Sequence, residues 1–127
     1  MVDISTFSGK GDLQLIHGYG DNGFRISGAR YQGNVMVLPR LTVGWPLTSL
    51  EKITFDDLAA LLGDTPPPLF ILGVGAAPMH LYPDLAASLK SMNISLEVMS
   101  TAAACRTWNV LMTEGRDVAA GLIAVDE

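Results

Sequence analysis

The run Leu69-Phe-Ile-Leu-Gly-Val-Gly75 constrains this chain more than any other stretch. It is apolar without alternation and closed by glycines, which suits a strand buried on both faces of a parallel sheet. The residues that follow agree with that reading. After Ala76-Ala77-Pro78, the segment Tyr82 to Lys90 puts Pro83 at a first helical position and Leu85 and Leu89 on one face, and Asn93 offers a left-handed stop. Ile94 to Met99 alternates apolar with polar residues and predicts a second strand, since a strand-helix-strand unit of this length closes as a right-handed parallel crossover. Ser100 or Thr101 can cap a further helix over Ala102 to Thr113, with Gly115 just past its end. Ala104, Cys105, Trp108, Leu111 and Met112 fall on the core side of that helix, and Arg106, Asn109 and Thr113 share another side. Arg116 to Val125 reads as a last, largely buried strand.

The N-terminal half has a different texture. Leu13 to His17 and Phe24 to Ile26 flank Gly18-Tyr-Gly-Asp-Asn-Gly23, in which Asn22-Gly23 is a hairpin turn signal. Val35 to Leu38, closed by Pro39, and Leu41 to Gly44 continue toward Trp45-Pro46, and together these runs predict a small antiparallel meander. Thr54 with Asp57 forms a capping-box pattern ahead of a helix from Phe55 to Leu62, with Phe55, Leu58, Leu61 and Leu62 as its apolar side and Gly63 at its end. Asp64-Thr-Pro-Pro-Pro68 is a stiff lead-in to the central strand, too short for an interdomain linker.

A chain of 127 residues with 49% hydrophobic content can build one core without disulfide staples. The net charge of −5 and the lack of a Lys/Arg cluster argue against nucleic acid or an anionic membrane surface as partner. A lone Cys105 excludes an intramolecular disulfide and suits a reducing compartment. Mean hydropathy is positive, +0.32, yet no apolar run reaches the roughly 18 to 20 residues of a helical span, so no membrane insertion is expected. Met1 to Asp12 reads neither as a secretory signal nor as an Arg-rich transit peptide, which makes the cytoplasm the expected location.

The chemistry-bearing residues are few. Gly73-Val74-Gly75 resembles the opening of a dinucleotide fingerprint, but Pro78 takes the third glycine position and Glu97 falls inside a strand, so a tight turn over close-packed backbone is the preferred reading and no cofactor is expected. His17 and His80 are far apart with no ligand spacing near either, so no metal is expected. Cys105 has Arg106 beside it and a helix start one turn upstream, which would favour a thiolate, but its apolar neighbours Trp108 and Met112 favour a small buried hydrophobe. No catalytic residue is assigned. Arg106 could close over an anion held by backbone amides near Thr101, against an ion pair with Glu114, Asp117 or Asp84 or a solvated face.

The pattern Thr101-x-x-Ala104-Cys105-Arg106-Thr107-x-Asn109-x-Leu111, followed by Glu114-Gly115-Arg116 and preceded by Leu72-Gly-Val-Gly75, is similar to the small domain family that includes a mitochondrial complex I assembly factor and the adipogenesis-associated Mth-domain-containing protein. Gly18-Tyr19-Gly20, Phe24, Ile26, Gly33 and Trp45 extend the resemblance over most of the chain, with Trp108 standing where a smaller aromatic is expected. The resemblance implies a single α/β domain over residues 1–127, in three layers, with a mixed, mostly parallel central sheet flanked by helices and a small N-terminal antiparallel β meander. It transfers no catalytic residue. It does favour a protein-interaction module that assists assembly of a respiratory-type complex, with a protein partner and a homo-oligomer left open. The competing expectation is a small-molecule or anion-binding protein or enzyme whose pocket gathers Gly73, Gly75, Thr101 and Arg106 at the carboxyl ends of the central strands.

Overall fold

The computed structural model describes residues 12–46, 55–76 and 82–126. In chain order these form β1 (Ile16–Gly20), β2 (Gly23–Ile26), β3 (Ala29–Gln32), β4 (Val35–Leu38), β5 (Leu41–Gly44), α1 (Phe55–Leu62), β6 (Leu69–Gly73), α2 (Pro83–Lys90), β7 (Ser95–Met99), α3 (Thr101–Thr113) and β8 (Ala119–Leu122).

The apolar run is the inner strand β6, parallel to β7 on one side and to β8 on the other. Strands β4 and β5 complete a five-stranded sheet of order β5-β4-β8-β6-β7, with β4 antiparallel to both of its neighbours. The sheet is therefore evenly mixed instead of mostly parallel. The expected meander is divided: β1, β2 and β3 form their own antiparallel sheet, while β4 crosses to pair with β8 near the other end of the chain.

Period-two alternation along β4, β6 and β8 sends side chains to two separate cores. Val35, Val37, Ile71, Ala120 and Leu122 meet Ala104, Cys105, Trp108 and Met112 of α3, together with Ile16, Phe24 and Ile26 of the small sheet. Met36, Phe70, Leu72 and Ala119 meet Leu58 and Leu62 of α1, Leu85 and Leu89 of α2, and Trp45. Burying each of the larger side chains contributes roughly 1.5–3 kcal/mol of transfer free energy, which makes the double-sided sheet the main source of stability. Gly121 makes room for this packing, since a Cβ there would stand 2.6 Å from Cζ3 of Trp45.

Local signals set the element ends. Ser100 caps α3 by accepting from the Ala103 N–H at 3.1 Å, and Gly115 follows the helix at φ 72°. Asn93 takes the left-handed conformation after α2, and Gly63 does so after α1. Thr54 of the expected capping box lies outside the described residues. The β1–β2 hairpin corrects a detail. Its two central residues are Asp21 and Asn22, both at positive φ, and Gly23 already pairs with Gly20. Glycine is needed at position 23 because a Cβ there would collide with the Tyr31 carbonyl oxygen.

Candidate functional site

Residues Gly73, Gly75 and Thr101 come together where β6 ends and α3 begins. A Cβ on Gly73 would lie 3.1 Å from the Ala104 Cβ and 3.2 Å from the Thr101 Cα, so helix and strand approach closely here. Thr101 is fully buried, and its hydroxyl accepts from the Gly75 N–H at 2.8 Å and donates to the Ile123 carbonyl at 2.7 Å. The Thr101 N–H donates to the Gly75 carbonyl, the Val74 N–H to Met99 and the Ile123 N–H to Gly73. These amides therefore tie β6, β7, β8 and α3 to one another. Arg106 is exposed on α3, and among the described residues no carboxylate pairs with it. Ala77, Pro78 and His80 lie outside the described residues.

Cys105 sits in the core, and burial pushes its thiol up to about 12, an effect only partly offset by the positive charge of Arg106. A thiol held there stays protonated at neutral pH and is a poor nucleophile. His17 is exposed on β1, and among the described residues no three His, Cys, Asp or Glu side chains gather as a metal-binding group.

Two polar side chains that carried no functional reading hold the small sheet against α3. The Trp108 indole N–H donates to the Gln14 carbonyl at 2.6 Å. The Asn109 amide accepts from the Ile16 N–H and donates to the Ile16 carbonyl, both at 2.8 Å, as a neighbouring strand would. Asn34 similarly accepts from the Ala124 N–H at 2.8 Å, tying the turn before β4 to the chain just past β8.

A second constellation lies at the opposite end of the sheet order. Between β5 and the small sheet is a cleft of about 330 Å³ whose lining includes Ile26, Tyr31, Leu41, Gln14 and Thr42. Gln14 and Thr42 are only 8% and 7% exposed, yet both reach it. The Thr42 hydroxyl donates to Gln14 Oε1 at 2.7 Å, and Gln14 Nε2 donates to the Asp12 carbonyl at 2.8 Å. That leaves one Nε2 hydrogen and the Thr42 lone pairs without a partner among the described residues.

Among the described residues the backbone beside this cleft is open too. The Trp45 N–H bonds to the Asn34 carbonyl, and the register then makes Met36–Val43 and Leu38–Leu41 the hydrogen-bonded pairs of the β4–β5 ladder. Thr42 and Gly44 consequently turn their N–H and C=O groups away from β4, along the outer edge of the sheet.

Comparison with known proteins gives a consistent picture. A family model described as protein of unknown function (DUF498/DUF598) matches residues 16–123. An uncharacterized protein of Rhodobacter capsulatus is 39% identical over 111 residues, covering 85% of this chain and 82% of that protein. NADH dehydrogenase (ubiquinone) 1 alpha subcomplex assembly factor 3 of Danio rerio is 34% identical over 110 residues, covering 86% of this chain. This chain spans 63% of that relative's length. Among solved structures, a Bordetella parapertussis protein superposes with a TM-score of 0.79 at 30% identity, over 89% of this chain and 97% of the other. A protein described as an outer membrane protein of Bartonella henselae gives 0.79 at 33% identity, over 91% and 98%. A Bordetella pertussis protein described as a Mth938-like domain gives 0.73 at 26% identity, over 90% and 88%.

Proposed function

The chain belongs to the DUF498/DUF598 family, and on that premise we propose that it is a non-enzymatic protein-interaction module that assists assembly of a larger, respiratory-type complex. The observation that carries this reading is the kinship with the Danio rerio assembly factor, which extends over 86% of this chain. A factor of that kind acts through contacts with other proteins, so the reading implies a protein partner. It places the protein in the cytoplasm as one domain, and the net charge of −5 supports a protein over nucleic acid as partner. Among the described residues no helix is long and apolar enough to cross a membrane.

One observation favours a second reading. Arg106 is an exposed guanidinium with no carboxylate partner among the described residues, close in sequence to the Gly73, Gly75 and Thr101 junction. In that reading the protein binds a small anion there, and Arg106 is its charged contact. The two are separated by affinity capture of the tagged protein from its native cell extract, beside an Arg106→Ala variant. A polypeptide retained at near-equal stoichiometry by both forms supports the interaction module. A small anion that co-purifies with the wild type, is lost from the variant and comes with no polypeptide supports the anion-binding reading instead.

A further inference from the structure

We propose that the cleft beside β5 binds an extended polypeptide segment of a partner protein, which adds as a strand to the β5 edge and sets one of its polar side chains against Gln14 and Thr42. This proposal rests on the interaction-module reading and gives it a surface.

The first reason is the character of the edge. Natural sheets blunt exposed edges with charge, proline or a bulge. Strand β5, Leu41-Thr-Val-Gly44, carries no charge and no proline, and its register against β4 is regular throughout. The opposite edge strand of the same sheet, β7, carries exposed Ser95 and Glu97. Of the two edges of this sheet among the described residues, β5 is the one left attractive to a further strand. Leu41 stands at its start, 45% exposed, as an apolar contact for an incoming side chain.

The second reason is the cleft floor. Gln14 and Thr42 are more than nine-tenths buried and still hold a spare donor and spare acceptor lone pairs beside each other. An amide or hydroxyl side chain on the face of the added strand that points into the cleft presents the complementary acceptor and donor. The N–H and C=O of Thr42 and Gly44, unpaired among the described residues, lie along the same strand, so the backbone of one extended segment can use the edge while its side chain uses the floor. The cleft lip includes both Asp12 and Arg40, opposite signs that do not select a strongly charged ligand.

The test uses the full chain labelled with nitrogen-15, and random dodecapeptides displayed on phage as the probe. In the free chain the Thr42 and Gly44 amides should exchange with solvent as unprotected groups do. The best selected peptide, synthesised and titrated, should shift Leu41 to Gly44 and the Gln14 side-chain amide, and protect the Thr42 and Gly44 amides at least about tenfold. Thr42→Val keeps the β-branched shape but removes the hydroxyl, and should weaken peptide binding about tenfold. If that variant folds poorly, the amide protection in the wild type decides the matter.

The proposal is overturned if both amides are already protected in the free chain, if no peptide binds more tightly than about 1 mM, if the footprint lies elsewhere, or if a folded Thr42→Val binds unchanged. A native-extract partner held equally by wild type and Thr42→Val leaves the interaction module standing and removes this cleft from it. An extract that yields no partner, alongside a peptide seated on β5, would overturn the module while keeping the cleft as a peptide site.

Discussion

Replacing Thr101 with valine should cost about 2–4 kcal/mol, although the two side chains have nearly the same shape. The hydroxyl lost is fully buried and bridges the Gly75 N–H and the Ile123 carbonyl. A buried donor or acceptor left without a partner costs roughly 1–3 kcal/mol. The Gly75 amide should contribute the larger share, because Gly75 is buried while Ile123 is half-buried and its carbonyl can recruit water. Thr101→Ser restores the hydroxyl and gives up only a methyl group, which should cost about 1 kcal/mol. Urea unfolding monitored by tryptophan fluorescence measures both. With an m-value of about 1.5–2 kcal/mol per molar, the valine variant should lower the midpoint by roughly 1–2.5 M with m unchanged, and the serine variant by about 0.5 M. A valine variant within about 0.5 kcal/mol of wild type, or a serine variant as unstable as the valine one, would refute the bridging role and leave the hydroxyl available for a ligand.

Other expectations follow from the same contacts. Asn109→Ala removes both hydrogen bonds to the Ile16 backbone and should destabilise by about 1–3 kcal/mol, with hydrogen exchange rising first along β1; unchanged β1 protection would contradict the clamp. The Cys105 thiol, pushed up to about 12 in the fold from an ordinary 9.0, keeps its proton after the unfolded chain has released its own. Stability should hold below pH 9 and fall between pH 9 and 12, by up to about 1.4 kcal/mol per pH unit, and Cys105→Ala should flatten that alkaline limb in pH-dependent unfolding. Arg106→Ala should leave the urea midpoint within the equivalent of about 0.5 kcal/mol, since Arg106 is exposed and unpaired among the described residues; a larger loss would make it structural.

The parts of the fold that were legible in the sequence are those with local causes. Strand β6 follows from an unbroken apolar run, α2 from Pro83 with Leu85 and Leu89, and α3 from Ser100, its core stripe and Gly115. Family kinship was legible as well, because it rests on a residue pattern spread along the chain. Strand β3 was not, since Ala29-Arg-Tyr-Gln32 has only Tyr31 half-buried and its turn at Ser27 and Gly28 follows a run already assigned to a hairpin. The even mix of the large sheet depends on β4 pairing with β8, a contact between distant segments that no periodicity encodes.

The same distance hid much of the site chemistry. Asn109 reads as one polar residue on a helix, and its partner Ile16 lies 93 positions away. Gln14 and Thr42 read as ordinary polar positions within two strand runs until the fold brings them to one cleft. Thr101 could be placed at the helix start from local signals. That its hydroxyl is taken up by Gly75 and Ile123 required the β6–β8 pairing, which is again non-local.

The most direct test of the interaction-module reading is native mass spectrometry of the protein purified at its natural abundance from its own cells. The reading predicts a species heavier than the 13.5 kDa chain that dissociates in the gas phase into this chain and a different polypeptide. A mass equal to the single chain, to whole multiples of it, or to the chain plus a small anion would contradict it.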